Sequence, residues 1–324
     1  MSSDDPGVLL LTDPATAAHA WPGHPERPDR VDAVAAGVAD GARAAGARLV
    51  ERSAAAATLD VVSRVHDAAY LQSLVAVAAA GGGWLDPDTY LVEATPPAAM
   101  LAAGMAVAAA EAIARGDADV AFAAVRPPGH HAHRDRGKGF CVVNNVAVAT
   151  ASLRVAGGAS RVAILDWDVH HGDGTQAVFE SDPSVFYGST HQFPWYPGTG
   201  SAAERSDTLV NVPLPAGSGD DAFVAAWRDT ILPAVERFAP AAILVSAGYD
   251  AHIDDPLAGL MVTSKGFRAV ASEVGSLARK LGLRGVALTL EGGYDLDALR
   301  ASTGATIEGL LAGLRPGPRR DSGE

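Results

Sequence analysis

The sequence predicts a single α/β domain built on a central, mainly parallel β-sheet flanked by helices. Three short apolar runs, at residues 161–168, 241–250 and 285–294, end abruptly in polar residues and glycine. Such runs are typical of parallel strands that are buried on both faces. Alanine-rich stretches with helical spacing separate them, which favours βαβ units. A chain of 324 residues with 48% hydrophobic content can bury one large core.

Periodicity and turn residues place the individual elements along the chain. Helices are predicted where apolar positions recur every three or four residues, and strands where short apolar runs stop at glycine or at polar residues. In chain order, the predictions are helices at 61–80 and 96–116, strands at 120–129 and 161–168, a helix at 222–238, a strand at 241–250, a helix at 264–281 and a strand at 285–294. No repeat or linker interrupts residues 1–324, so we expect one domain with flexible ends at 1–6 and 315–324.

Charge and composition argue against several classes of function and location. The net charge is −13, and apart from the short RPGPRR near the end no Lys/Arg cluster could bind phosphates, so direct nucleic-acid binding is not expected. No apolar run reaches the roughly 18 residues of a membrane span. The acidic start MSSDDPGVLLLTD does not resemble a secretory signal, which predicts a cytoplasmic protein. The acidic surface either keeps the protein soluble or attracts cationic substrates.

The single cysteine, Cys141, excludes an internal disulfide framework and a cysteine-rich metal site. Any metal ion must therefore be held by histidines and carboxylates.

A candidate metal site lies in DWDVHHGDG. Asp166, Asp168 and His170 are spaced two apart, so they project from the same side of an extended chain. Asp168 and His170 suit zinc, and Asp250 ends the next apolar strand in SAGYD. Three protein ligands leave a position for water, whereas Asp166 is better placed to fix a histidine. Each cluster alone could equally be turn chemistry, but parallel sheets collect ligands at the carboxyl ends of their strands.

Two further clusters suggest acid–base chemistry. His130 and His131 follow a Pro-Pro-Gly turn, and a pair of imidazoles facing metal ligands indicates proton transfer. Asp166 and Asp173 are the carboxylates available to separate the pKa values of the two histidines. Tyr294, after the Gly-Gly turn of EGGYD, could polarise a carbonyl. Seen alone, this tyrosine would more often pack on the surface.

Together these motifs resemble the histone deacetylase superfamily, which includes acetylpolyamine amidohydrolases and acetoin-utilisation proteins. RPPGHHA, GFCVVNN, DWDVHHGDGT, SAGYDAH with DPL, and EGGY occur in the order and spacing of that family. HPERP at 24–28 and VHDAAYL at 65–71 extend the resemblance over residues 8–312. It implies an arginase-like fold, an active site at the carboxyl ends of the strands, and a narrow tunnel to the metal.

The resemblance also implies a role for each matching residue. Zinc, one ion per chain, would be bound by Asp168, His170 and Asp250, with Fe²⁺ as the alternative and a structural K⁺ near the DWDVHH loop. The implied assignments are His130 paired with Asp166, His131 paired with Asp173, Tyr294 as the electrophile, Gly139, Phe140 and Tyr196 along the tunnel, and Arg27 near the acetate channel. An arginine in the position of Arg27 could equally form a surface ion pair. Cys141 is expected to be a buried filler.

Two positions bear on subclass. DPLAG and LEGGY resemble the class II branch, yet Asp173 stands where that branch often has asparagine, and a carboxylate should hold His131 more firmly protonated. Leu257 stands where polyamine-specific relatives carry a glutamate, which favours acetyl-lysine-like substrates. The loop 84–95 differs from known substrate-anchoring loops, so we assign no backbone-binding residue there.

The leading hypothesis is a zinc-dependent deacetylase acting on an acetylated lysine peptide, a protein or a small acylated amine, without nucleic-acid or membrane partners. Acetylpolyamine hydrolysis, an acyl-group sensor on the same fold and a two-metal ureohydrolase of the arginase type are the alternatives. The physiological substrate, the acyl-chain preference and the oligomeric state stay open at this stage.

Overall fold

The computed structural model describes residues 7–156 and 159–315 of the chain. Among these residues, eight strands form one sheet in the order β2-β1-β5-β10-β9-β6-β7-β8, and every neighbouring pair is parallel. A separate antiparallel hairpin joins β3 to β4. The strands are β1 Gly7–Leu11, β2 Arg48–Arg52, β3 Gly83–Asp86, β4 Thr89–Leu91, β5 Val120–Ala123, β6 Val162–Asp166, β7 Val185–Gln192, β8 Leu209–Leu214, β9 Ala242–Ala247 and β10 Val286–Leu290.

Helices cover both faces of the sheet. They are α1 Asp29–Ala44, α2 Leu59–Val62, α3 Ala68–Ala79, α4 Thr95–Arg115, α5 Asn145–Ala156, α6 Asp173–Phe179, α7 Asp220–Ala226, α8 Leu232–Phe238, α9 Ser264–Lys280 and α10 Leu296–Leu314. One hydrophobic core contains residues of α1 and α7 to α10, and the other contains residues of α3 to α6. Neighbouring β6 residues, Ile164 and Leu165, belong to opposite cores, as expected for a doubly covered sheet. The predicted fold class is confirmed.

The prediction of one continuous helix at 61–80 is wrong, because the segment contains two helices. The helix stops after Val62 and restarts at Ala68, because the intervening segment makes long-range contacts. The ring of His66 is fully buried and its Nε2 accepts the backbone N–H of Asn144 at 2.9 Å, while Asp67 donates its N–H to the carbonyl of Arg134. Local periodicity carries no information about such contacts.

The segment predicted as one helix at 222–238 contains a π-helical turn, Trp227–Ile231, between α7 and α8. The predicted end flexibility at 1–6 and 316–324 lies outside the described residues. Arg315 itself is the C-cap of α10, and its backbone N–H donates to the carbonyl of Leu311.

Helix α4 is long and apolar enough to cross a membrane by length and composition. However, 61% of its most apolar stretch is buried inside the protein. Helix α4 packs against α5 and β5, as a core helix does.

The sheet order brings the predicted motifs together. Strands β5, β10, β9 and β6 are consecutive neighbours, and all are parallel. The histidine pair follows β5, EGGYD follows β10, SAGYD contains the end of β9, and DWDVHH contains the end of β6. Four polar clusters that are distant in sequence therefore meet at one edge of the sheet.

Candidate active site

The three predicted metal ligands lie together beyond β6 and β9. Nδ1 of His170 is 3.1 Å from Oδ1 of Asp168 and 3.1 Å from Oδ2 of Asp250. One ligand atom from each residue lies within 4.8 Å of the others. Backbone N–H groups hold the carboxylates in place, since Gly292 donates to Asp168 at 2.7 Å and Val169 donates to Asp250 at 2.9 Å.

Two glycines allow the backbone to approach these carboxylates. A Cβ at Gly248 would overlap the carboxylate of Asp168, and a Cβ at Gly292 would overlap that of Asp250. Any side chain at either position would therefore displace a predicted ligand. This explains in physical terms why glycine follows the buried strand in both SAGYD and EGGYD.

The charge of this cluster favours a cation. Although burial alone would lower it, the two carboxylates raise the pKa of His170 to about 10. Burial and the charge of Asp168 raise the pKa of Asp250. Two buried carboxylates and one imidazole nitrogen form an O, N, O donor set that suits zinc, so the residues present fit the metal that the resemblance implies.

Both predicted histidine–aspartate pairs are formed. Nδ1 of His130 lies 3.1 Å from Asp166, and Nδ1 of His131 lies 2.8 Å from Asp173. The ring centroids of the two histidines are 4.0 Å apart. Because Nδ1 faces a carboxylate in each pair, Nε2 is the nitrogen left for other chemistry.

The two imidazoles differ in proton affinity. Although burial alone would lower it, Asp166 and Asp168 hold the pKa of His130 well above its ordinary value. Burial, and then the charge of His130, lower the pKa of His131 to about 3. At neutral pH this arrangement favours a charged His130 beside a neutral His131.

As expected for a carboxylate, Asp173 raises the pKa of His131, but burial and the charge of His130 outweigh this contribution. The Asp173 carboxylate is shared, because its second oxygen lies 2.8 Å from Nε2 of His133 and 2.9 Å from Nζ of Lys138. The Lys138 ammonium neutralises part of the charge that would otherwise stabilise the imidazolium of His131.

A tunnel with a volume of about 250 Å³ leads to the cluster. Trp195 and Tyr294 line this tunnel. So do the residues that the sequence placed at the substrate, which are Gly139, Phe140, Tyr196 and Leu257. Gly139 has a φ of 55°, and a Cβ there would lie 2.7 Å from His131 and 2.8 Å from the Tyr196 hydroxyl. Only glycine can pass between these groups. Trp195, at the tunnel wall, is 45% exposed.

Tyr294 lies beside the metal cluster on the tunnel wall. Its ring meets that of Phe140 edge-on, with centroids 5.7 Å apart, and the Arg30 guanidinium lies 4.8 Å from its ring centroid. Burial raises the pKa of Tyr294 well above its ordinary value. The phenol therefore stays protonated and can donate a hydrogen bond.

The structure contradicts the placement of Arg27 near the site. Its side chain is 47% exposed and pairs at 3.8 Å with Asp29 on the surface. The reason is that Arg27 precedes α1, which begins at Asp29, whereas Arg30 lies in the first turn of α1 on its buried face.

Arg30 is the arginine that reaches the site. It is fully buried, donates to the carbonyls of Gly293 and Glu291, and pairs at 3.1 Å with Glu26. Glu26 in turn binds the buried Arg126 at 2.6 Å. A second arginine three residues after Arg27 was the available signal for this residue.

Glu291 was also missed, although it lies inside EGGYD. Its carboxylate accepts the backbone N–H groups of Gly129, at 2.7 Å, and of His130, at 3.0 Å. Burial raises its pKa to about 7. Glu291 thus connects the end of β10 to the histidine turn after β5.

Comparisons with known proteins agree with this arrangement. A family model described as the histone deacetylase domain matches residues 24–310. A histone deacetylase-like amidohydrolase of Pseudomonas aeruginosa is 40% identical over 280 residues, covering 84% of this chain and 73% of the relative. A probable deacetylase of Archaeoglobus fulgidus is 37% identical over 298 residues, covering 90% of this chain and 82% of the relative.

Two solved structures are similar over nearly the whole chain. The HDA15 HD domain superposes with a TM-score of 0.86 at 36% identity, covering 94% of this chain and 90% of that one. An acetylpolyamine aminohydrolase from Burkholderia pseudomallei superposes with a TM-score of 0.84 at 31% identity, covering 94% of this chain and 99% of that one.

Proposed function

The chain belongs to the histone deacetylase family and is a deacetylase of the amidohydrolase type, and we propose that it hydrolyses the N-acetyl or N-acyl amide of lysine side chains or similar primary amines. One observation supports this most directly. Two histidine–aspartate pairs and a protonated tyrosine surround a three-ligand cluster at the end of a narrow tunnel.

We propose Asp168, His170 and Asp250 as ligands of one zinc ion, with Fe²⁺ as the alternative metal. Bound zinc supplies Lewis-acid chemistry, which lowers the pKa of water toward roughly 7 and polarises an amide carbonyl. Gly248 and Gly292 let the carboxylates approach the site, while the backbone donors of Val169 and Gly292 orient them. A structural K⁺ stays a prediction from the resemblance.

The remaining residues divide the proton chemistry. Phe140 and Tyr196 enclose the alkyl chain of the substrate, and Tyr294 donates its hydroxyl to the amide oxygen. His131, which is neutral, takes the proton of the attacking water at Nε2 and returns it to the leaving nitrogen. The C–N bond then breaks, and the products are acetate and the free amine. His130, which is charged, stabilises the negative charge that builds on the amide oxygen.

Leu257 supports acetyl-lysine over acetylpolyamine substrates, because it is an apolar residue on the tunnel wall. We expect Leu257→Glu to raise the kcat/KM ratio of N-acetylspermidine to an acetyl-lysine peptide by about tenfold, since a carboxylate there can bind a distal ammonium. Steady-state kinetics on both substrates measure this ratio. Leu257→Gln is the control, because glutamine has the shape of glutamate without its charge. An equal effect of both variants on the ratio would contradict the explanation.

Acetylpolyamine hydrolysis is the second candidate, favoured by the similarity to the Burkholderia pseudomallei enzyme. The deciding experiment gives the zinc-loaded protein acetyl-lysine peptides, N-acetylspermidine, and longer-acyl and trifluoroacetyl amides. A protein that binds zinc and cleaves none of them would refute the proposed reaction and favour an acyl-group sensor. A metal-to-chain ratio near two would favour the two-metal chemistry of ureohydrolases.

We also propose that residues 1–324 form one catalytic domain, because eight of the ten described strands, from β1 at residue 7 to β10 at residue 290, enter a single sheet. The cytoplasmic location stays a prediction.

A further inference from the structure

The Asp255 carboxylate connects two walls of the tunnel. The residue is 6% exposed and follows β9 in the loop that leads from Asp250 to Leu257. Each of its two side-chain oxygens accepts hydrogen bonds from a different segment of the chain.

Oδ1 of Asp255 holds the Leu257 segment. It accepts the backbone N–H of Leu257 at 3.1 Å, two residues further along the chain. This turn is a common local use of aspartate, and it fixes the direction in which the chain leaves Pro256. The Leu257 side chain that it presents lies on the tunnel wall.

Oδ2 holds the turn after β10. It accepts the backbone N–H of Tyr294 at 2.6 Å and that of Asp295 at 3.3 Å. These bonds join residues about 40 positions apart in the sequence. These bonds thereby fix the backbone of Tyr294, the residue proposed to donate its hydroxyl to the amide oxygen.

We propose that Asp255 is a positioning and specificity-determining residue that sets the separation of Leu257 and Tyr294 across the tunnel. The inference rests on the proposed function, because it assigns Tyr294 to the amide oxygen and Leu257 to substrate selection. Asp255 touches neither the substrate nor the metal ligands' donor atoms in this role. It acts through two backbone segments.

The test uses Asp255→Asn and Asp255→Ser. An asparagine amide offers one oxygen and one NH₂, so in either orientation one wall loses its acceptor and meets a second donor. Serine can keep the short turn to the Leu257 N–H but cannot reach Tyr294. Asp254→Asn is the matched control, because Asp254 is adjacent and its side chain is 70% exposed.

We expect Asp255→Ser to lower kcat by about 10- to 100-fold, since a displacement near 1 Å at the reacting centre can cost that much. Asp255→Asn should show the same loss of kcat if its NH₂ faces Tyr294, or an about tenfold change in the kcat/KM ratio of an acetyl-lysine peptide to N-acetylspermidine if its NH₂ faces Leu257. Asp255→Ser should preserve that ratio. Zinc content and the circular dichroism spectrum should match those of the parent.

A double-mutant cycle separates positioning from simple destabilisation. If Asp255 acts on turnover through Tyr294, the kcat loss from Asp255→Ser should largely disappear in a Tyr294→Phe background. A loss that is undiminished there, or that follows the loss of zinc, would overturn the inference. So would an Asp255→Asn variant that matches Asp254→Asn. A parent protein that cleaves neither substrate overturns the proposed function as well, so the two failures are distinguishable.

Discussion

Replacing Tyr294 with phenylalanine should slow amide hydrolysis by about 10²- to 10³-fold while the protein keeps its metal. The phenol is the proposed donor to the carbonyl oxygen, and burial raises its pKa so that it carries its proton at neutral pH. Because the stabilised negative charge develops in the transition state, the loss should fall on kcat, with KM nearly unchanged. Steady-state kinetics with an acetyl-lysine peptide and metal analysis of the same samples measure both quantities.

Tyr70→Phe provides the control for loss of a buried hydroxyl. The Tyr70 hydroxyl donates to the backbone carbonyl of Val142, away from the proposed donor position. We expect that variant to lose some stability and to turn over substrate at close to the parent rate. Parental turnover by Tyr294→Phe would remove this residue from the mechanism.

Replacing His170 with alanine should weaken zinc binding by more than about 10²-fold and abolish measurable turnover, because it removes one of three proposed ligands. Zinc at 100 times its dissociation constant should stabilise the parent by about 2.7 kcal/mol, whereas the variant should unfold at the same temperature with or without the metal. Zinc titration and thermal unfolding with and without a chelator test this expectation.

His171→Gln is the neighbouring control. His171 binds Thr199 and Gln176 and is not among the proposed ligands, so its replacement should leave the zinc stoichiometry near one. A His170→Ala protein that retains one tightly bound zinc per chain would contradict the ligand assignment.

The grouping of the three candidate metal ligands was predictable because strand periodicity and sheet topology act together. DWDVHH and SAGYD each follow an apolar run, and parallel neighbours place both ends at the same edge of the sheet. The spacing of two between Asp168 and His170 then predicted that both would face one point. These inferences needed only local patterns and the parallel arrangement.

Features that depend on tertiary contacts were not predictable in the same way. Arg27 and Arg30 lie three residues apart, and the start of α1 decides which of them is buried. The pKa of His131 depends on burial and on the charge of His130, and Lys138 shares Asp173 with His131 through a contact that no spacing rule indicates. Likewise, the long-range hydrogen bond of His66 interrupts a segment whose periodicity is helical.

The intrinsic fluorescence of Trp195 can report on binding in the tunnel. Its indole is 45% exposed at the tunnel wall, whereas Trp167 and Trp227 are fully buried. A substrate whose alkyl chain displaces water from this ring should shift its fluorescence to shorter wavelength, and the buried indoles should not respond. With the exposed Trp21 and Trp84 changed to phenylalanine, the emission maximum would report the fraction of tunnels occupied, even in a variant that cannot turn over its ligand.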